Sequence, residues 1–296
     1  TRLMAQRTFM RWIKGLIPTV IILLGALLLG CICYISIWGV PSFVVQRVEQ
    51  ALLEKGIPSH IETLKVTLWP RAVVTLKNVE LLDTEAMPET RRPIVLLHEA
   101  DVALNWKKLI EGQVVPERVN VKGMDVTLPV DAGNPEKVFS VTGVNAELNL
   151  GRPGMVDIVK ADAVVQGIRV TAQGAFSIGQ DDSGDFTLTA QDMGAVREQL
   201  NQVLNYMDRV KWPDASPPRL IVNLSDDPKG GVRVGMDLQA TVLRYGKIMV
   251  RDFLFRGDYA DSVIMAKHFT MRDAETAGFV SLSLQADLKK RTLIWD

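Results

Sequence analysis

Two kinds of hydrophobic pattern divide this chain. From Leu16 to Trp38 no position is charged and most are apolar, whereas beyond Gly39 apolar and polar residues alternate in short runs. The first stretch is 23 residues long. As a helix it measures about 35 Å, enough to cross a hydrocarbon core of roughly 30 Å with some tilt. After Pro41, Val44, Val48, Ala51 and Leu52 recur at helical spacing, which predicts a helix over 42–55 that Gly56 and Pro58 end. Then Leu64, Val66 and Leu68 alternate with Thr63, Lys65 and Thr67, the mark of a strand with one apolar face.

The same alternation returns from Ala72, from Ile94 and from Arg118, where Val119 and Val121 precede Met124, Val126, Leu128 and Val130. "WKKLIEGQ" at 106–113 allows a turn or two of helix. Strand-like runs follow at 140–150, 157–172 and 174–178, and "SIGQDDSGDF" reads as a tight reversal into "FTLTA". A longer helix is expected over 192–211, capped by Asp192 and striped by Val196, Leu200, Val203, Leu204, Met207 and Val210. "WPDASPP" at 212–218 stops it and suggests a boundary, after which short strands and turns run to the end. The segments share an architecture of roughly a dozen strands without a strict sequence period.

The expected fold is therefore mainly β: an N-terminal transmembrane helix followed by an antiparallel, curled, groove-like sheet with a few helices. Its parts are a basic segment (1–15), the span (16–38), a helix with strands (39–132), further strands with an amphipathic helix (133–211) and a C-terminal meander (219–296). Arg2, Arg7, Arg11 and Lys14 precede the span and the first acid is Glu49, so the positive-inside rule puts the N-terminus in the cytoplasm. Trp12, Tyr34 and Trp38 suit its interfaces. The run is longer than a signal-peptide core, and "LLGC" at 28–31 has Leu29 where a lipobox takes a small residue.

Composition adds mainly exclusions. Charge is balanced, 34 basic against 34 acidic residues, which leaves no electrostatic footprint for nucleic acid. Cys31 and Cys33 both lie in the span, so the remainder needs no disulfide framework. His60, His98 and His268 lack metal-ligand spacing and read as satisfied or exposed, and no nucleotide-binding or hydrolase motif occurs. "QDDSGD" looks like the start of a calcium loop, but a hairpin turn uses the same residues and Asp192 stands where the bidentate Glu belongs. No catalytic residue, metal or cofactor is expected, and the chain is read as a non-enzyme.

The order of parts resembles the N-terminal region of the AsmA-like family of bacterial envelope proteins, whose larger members include TamB and YhdP. The matching residues are the span, "FVVQRVEQALLEKG", "VTLWP", "AVVTLKNVELLD" and "PIVLLHEADVALNWKKLIEGQVVPERVNVKGMDVTLPVD". Trp69, Pro70, Leu76, Asn78, Val79, Leu81, Val102, Leu104, Leu109, Gly112, Val121, Gly123, Val126 and Leu128 occupy the family's pattern positions. The likeness covers 10–131; beyond Gly133 only a strand-rich texture is shared, and the helix over 192–211 has no counterpart.

The resemblance implies a single-pass anchor in the bacterial inner membrane and a periplasmic sheet curled into a trough. In the larger relatives that trough is held to carry phospholipid toward the outer membrane. The expected activity is binding or transfer of phospholipid in outer-membrane biogenesis. Expected groove residues are Leu64, Val66, Leu68, Val102, Leu104, Val119, Val121, Met124, Val126 and Leu128. The alternative is an anchored scaffold or assembly factor that binds other envelope proteins, its apolar faces packed into a closed sandwich. A component resembling LptC would require a shorter soluble part.

Overall fold

A computed structural model describes residues 40–295, apart from 55–56, 69, 84–92, 132–133, 135, 178–189, 229, 274–277, 288–289 and 291. The expected span with its basic flank, both cysteines, Trp69, the reversal at 178–185 and the strand in "FTLTA" lie outside the described residues. Among those described, no helix is long and apolar enough to cross a membrane.

The protein is mainly β, with one large sheet and few helices. Helix α1 (Ser42–Glu54) leads into β1 (Ser59–Thr67), β2 (Val73–Leu82) and β3 (Pro93–Leu104). A short helix α2 (Trp106–Ile110) follows, begun by Asn105, whose side-chain oxygen accepts from the Lys108 amide at 2.9 Å. Next come β4 (Pro116–Pro129), β5 (Val138–Asn149), β6 (Met155–Val165) and β7 (Ile168–Ser177). Helix α3 (Ala190–Met207) precedes the two-residue β8 (Val210–Lys211). The chain ends in β9 (Arg219–Asp226), β10 (Val232–Tyr245), β11 (Ile248–Ala260), β12 (Val263–Asp273), β13 (Phe279–Asp287) and β14 (Thr292–Trp295).

Two boundaries differ from the sequence expectation. Helix α3 begins at Ala190, so Asp192 falls within its first turn instead of at the cap. It also stops at Met207, and Val210 joins a strand: Val210 and Lys211 pair with Tyr245 and Arg244 of β10. Ladder partners are available there, whereas a continuing helix would run into Pro213.

Thirteen strands form one path, β1 to β7 and then β9 to β14, with β8 attached to β10. Neighbours on that path are antiparallel except β7 and β9, which run parallel. A parallel pair needs a long crossover, and residues 178–218 with α3 supply it. The joint is tight at Gly174 (φ +131), where a Cβ would lie 2.0 Å from the Leu224 carbonyl oxygen.

Among the described residues the sheet is a single layer. Extensive strand contacts among them run only between ladder neighbours, and helices touch the sheet appreciably at β1 (α1) and at β5 and β8 (α3). Most described strand residues are half-buried or exposed, and few are buried. What core exists is local: Val45 of α1 packs with Ile61, Leu64 and Val79 near one edge of the sheet.

Candidate functional site

Residues directly opposite one another in a ladder share a face, so the register shows what each face carries. One row runs Val66, Val74, Val102, Val119, Leu148, Ile158 and Gly174 across the first half. It continues through Leu224, Val234, Tyr259, Ile264, Ala286 and Leu293. A parallel row runs Leu64, Leu76, Ala100, Val121, Ala146, Ala161 and Ala172, then Val222, Met236, Gly257, Ala266, Leu284 and Trp295. Each row crosses all thirteen strands in register, and from β1 to β13 the one polar side-chain group on either is the Tyr259 hydroxyl.

The opposite face is polar. Between those rows stand Lys65, Thr75, Asp101, Asn120, Glu147 and Lys160 on successive strands. Beside them, Glu99 accepts from Lys122 at 2.6 Å and pairs with Lys77 at 2.9 Å. These two cations, Lys122 foremost, hold its carboxyl at about 2, and Glu99 in turn raises Lys122. Asp162 is lowered by Lys160 at 2.8 Å and by the Thr171 hydroxyl. Ion pairs therefore lace the polar face, while the apolar face offers an acyl chain or another apolar group nothing but dispersion and the release of water.

Bringing the apolar residues beyond these rows onto the same face requires interruptions in the alternation. A strict period of two would put Met124, Val126 and Leu128 on the face opposite Val119 and Val121. Gly123 (φ +65) absorbs the odd residue. Asn78 (φ 49) does the same between Leu76 and Val79, and its side-chain amide donates to Glu62. Asn tolerates this left-handed conformation better than most residues.

Of the expected groove residues, Val66, Val102, Val119, Val121, Met124 and Val126 lie on the apolar face at half-buried positions. Leu64 shares that face but packs beneath α1, and Leu128 is buried opposite Phe139. Leu104 is at the end of β3, its amide bonded to the Ala72 carbonyl at 2.8 Å, and Leu68 lies just past β1. Sequence reading missed the contributions of β2, β5 to β7 and β9 to β13. Their alternation was visible, but which of two phases faces inward becomes legible only from the register.

At one end of the strands α3 covers part of this face. Arg197 meets Asp83, just after β2, at 3.3 Å, and Asn205 accepts from Lys137, just before β5, at 2.6 Å. The helix thus lies across several strand ends, with Leu204 buried beneath it. Beyond its C-terminus a cavity of about 450 Å³ opens, bounded by Met207, Trp212, Leu238, Ala240, Phe253 and Met271 among others. Phe253 meets Phe269 edge to face, centroids 5.5 Å apart. Among the described residues no cluster of His, Cys, Asp or Glu could hold a metal ion. His60 is exposed beside Glu49 at 3.2 Å.

Compared with protein-family models, with curated proteins and with solved structures, the chain matches none of them.

Proposed function

We propose that this chain is a non-enzymatic lipid-binding or lipid-transfer protein, its sheet curled into a trough whose apolar side takes the acyl chains of phospholipid. The observation that carries this reading is the pair of apolar rows that cross β1–β7 and β9–β13 with, among the described residues, no second layer over most of their length. An antiparallel sheet with one apolar face must cover that face. Here the helices cover only limited stretches of it. Acyl chains are the simplest remaining cover, at about 0.8 kcal/mol per methylene removed from water. Thirteen strands spaced by about 4.8 Å make an apolar path near 58 Å long. In this reading residues 16–38 anchor the protein in a bacterial inner membrane, the sheet lies in the periplasm, and the chain is of the AsmA-like kind, serving outer-membrane biogenesis.

The test is a photocrosslinking amino acid placed at Val121, Val222 or Met236 on the apolar side and at Asn120, Asn223 or Asp237 on the other. Phospholipid adducts at the first set and not the second are the expected result. Equal capture on both faces, or none, would overturn the proposal. The end of the strand order at β14 favours one other reading, a scaffold that binds an envelope protein by strand addition. A stoichiometric protein partner that co-purifies without lipid would support it.

A further inference from the structure

The cavity beyond α3 has features that the trough alone does not account for. Its volume of about 450 Å³ holds on the order of 15 water-sized groups, close to the bulk of a single fatty tail. Its lining is aliphatic or aromatic throughout: Met207 and Trp212 come from the crossover, while Leu238, Ala240 and Phe253 come from the sheet. Tyr245 and Ile248, at the tip of the β10–β11 hairpin, also border it and are 52% and 63% exposed. Apolar side chains left in water at a cavity's edge are a poor arrangement for a free protein and a good one for a ligand with an oily part.

Positive charge outweighs negative around this edge. Arg209, Lys211, Arg244, Lys247 and Arg251 lie on the segments that border it, against Asp208, Asp252 beside Arg251 and Asp273 opposite Val250. Lys211 and Arg244 stand directly opposite each other in the ladder, an apposition of like charges that costs stability unless an anion lies near. They project from the reverse side of the strand ends that border the cavity, and Lys247 sits in the turn itself. Exposed charges attract an anion over a Debye length of about 8 Å.

We propose that this cavity takes one acyl tail of an anionic lipid, whose headgroup lies past the strand ends beside Lys247, at a rim that Arg209, Lys211 and Arg244 make positive. The proposal rests on the lipid-binding reading above and narrows it to a defined seat and headgroup charge. Tyr245 fits the border between the two parts of such a ligand, since its ring is apolar and its hydroxyl is not.

The full chain, held in amphipol, is irradiated with palmitoyl lysophosphatidylglycerol that carries a diazirine near the tail end. The lysophosphatidylcholine analogue is run beside it, and labelled peptides are located by mass spectrometry. The tail should label Leu238–Phe253 and Met271, more strongly with the anionic probe. Lys247→Ala should lower labelling by that probe roughly fivefold, the equivalent of about 1 kcal/mol per surface cation, and leave the choline probe unchanged. Ile248→Asp, at an exposed position where the fold tolerates it, should abolish cavity labelling. Ala240→Trp should do so by filling the floor, with labelling at Val121 retained as proof of folding. Labelling at Val121 and Met124 with none in the cavity overturns this inference and leaves the trough standing. No labelling anywhere overturns both, and equal labelling by the two probes overturns the choice of an anionic headgroup.

Discussion

Leu64 and Val121 belong to the same apolar row, separated by Leu76 and Ala100, yet they should respond very differently to a carboxylate. Leu64 is 9% exposed and packs with Val45 of α1. Replacing it by Asp forfeits about 2–3 kcal/mol of side-chain burial, and the new group adds an unpaired-carboxyl penalty that protonation relieves only in part. The total should reach at least about 4 kcal/mol by these transfer values. Val121 is half-buried on β4, a strand that neither α1 nor α3 contacts appreciably. There Asp gives up about 1 kcal/mol of apolar burial and keeps its water. Taking a urea dependence of about 3 kcal/mol per molar, the midpoint should fall by about 1.3 M for Leu64→Asp and about 0.3 M for Val121→Asp. Tryptophan fluorescence of the full chain during a urea titration measures both. If Val121→Asp costs as much as Leu64→Asp, the row is sealed along its length and no tail can lie on it.

Gly174→Ala should destabilise by about 3 kcal/mol or more: strain at a positive φ contributes about 1–3 kcal/mol, and displaced β7–β9 hydrogen bonds add about 1 kcal/mol each. The same titration checks it, and a loss under about 1 kcal/mol would contradict the tight joint seen at Leu224. Glu99 makes a pH-dependent contribution of definite sign. Because its pKa is lowered from 4.5 to about 2, the stability from its pairs is complete above the ordinary value and drains away as pH falls through the lowered one. Glu99→Gln should therefore be less stable than the parent at neutral pH and converge with it near pH 2. A constant difference across that window would assign the effect to something other than the Glu99 charge.

Much of the architecture could be read from residues because a one-sided sheet writes itself into alternation. The segments around Leu64, Val102 and Val126 announced strands, and α1 and α2 matched their expected starts at 42 and 106. Two things could not be read. The phase slips at Asn78 and Gly123 depend on backbone angles, and a period-two scan treats Leu76 and Val79 as opposite-facing when they share a side. The parallel joint was hidden as well, since strands before and after a helix look the same whether the chain returns parallel or antiparallel. For the candidate site, the residues on β1, β3 and β4 were found by pattern. The cavity beyond α3 was not, because it joins Trp212, Phe253 and Met271, which nothing in their spacing connects.

A sheet that faces no opposing layer is free in one dimension. Inserting a further hairpin between any two neighbours would leave every other ladder intact, as in solenoids whose units meet only the next unit along. Each such insertion would lengthen the oily track by about 10 Å without reversing which side is oily, because two strands restore the original direction. Reach can thus change in fixed increments while cross-section stays constant, so the distance a molecule of this design can bridge is a matter of counting hairpins.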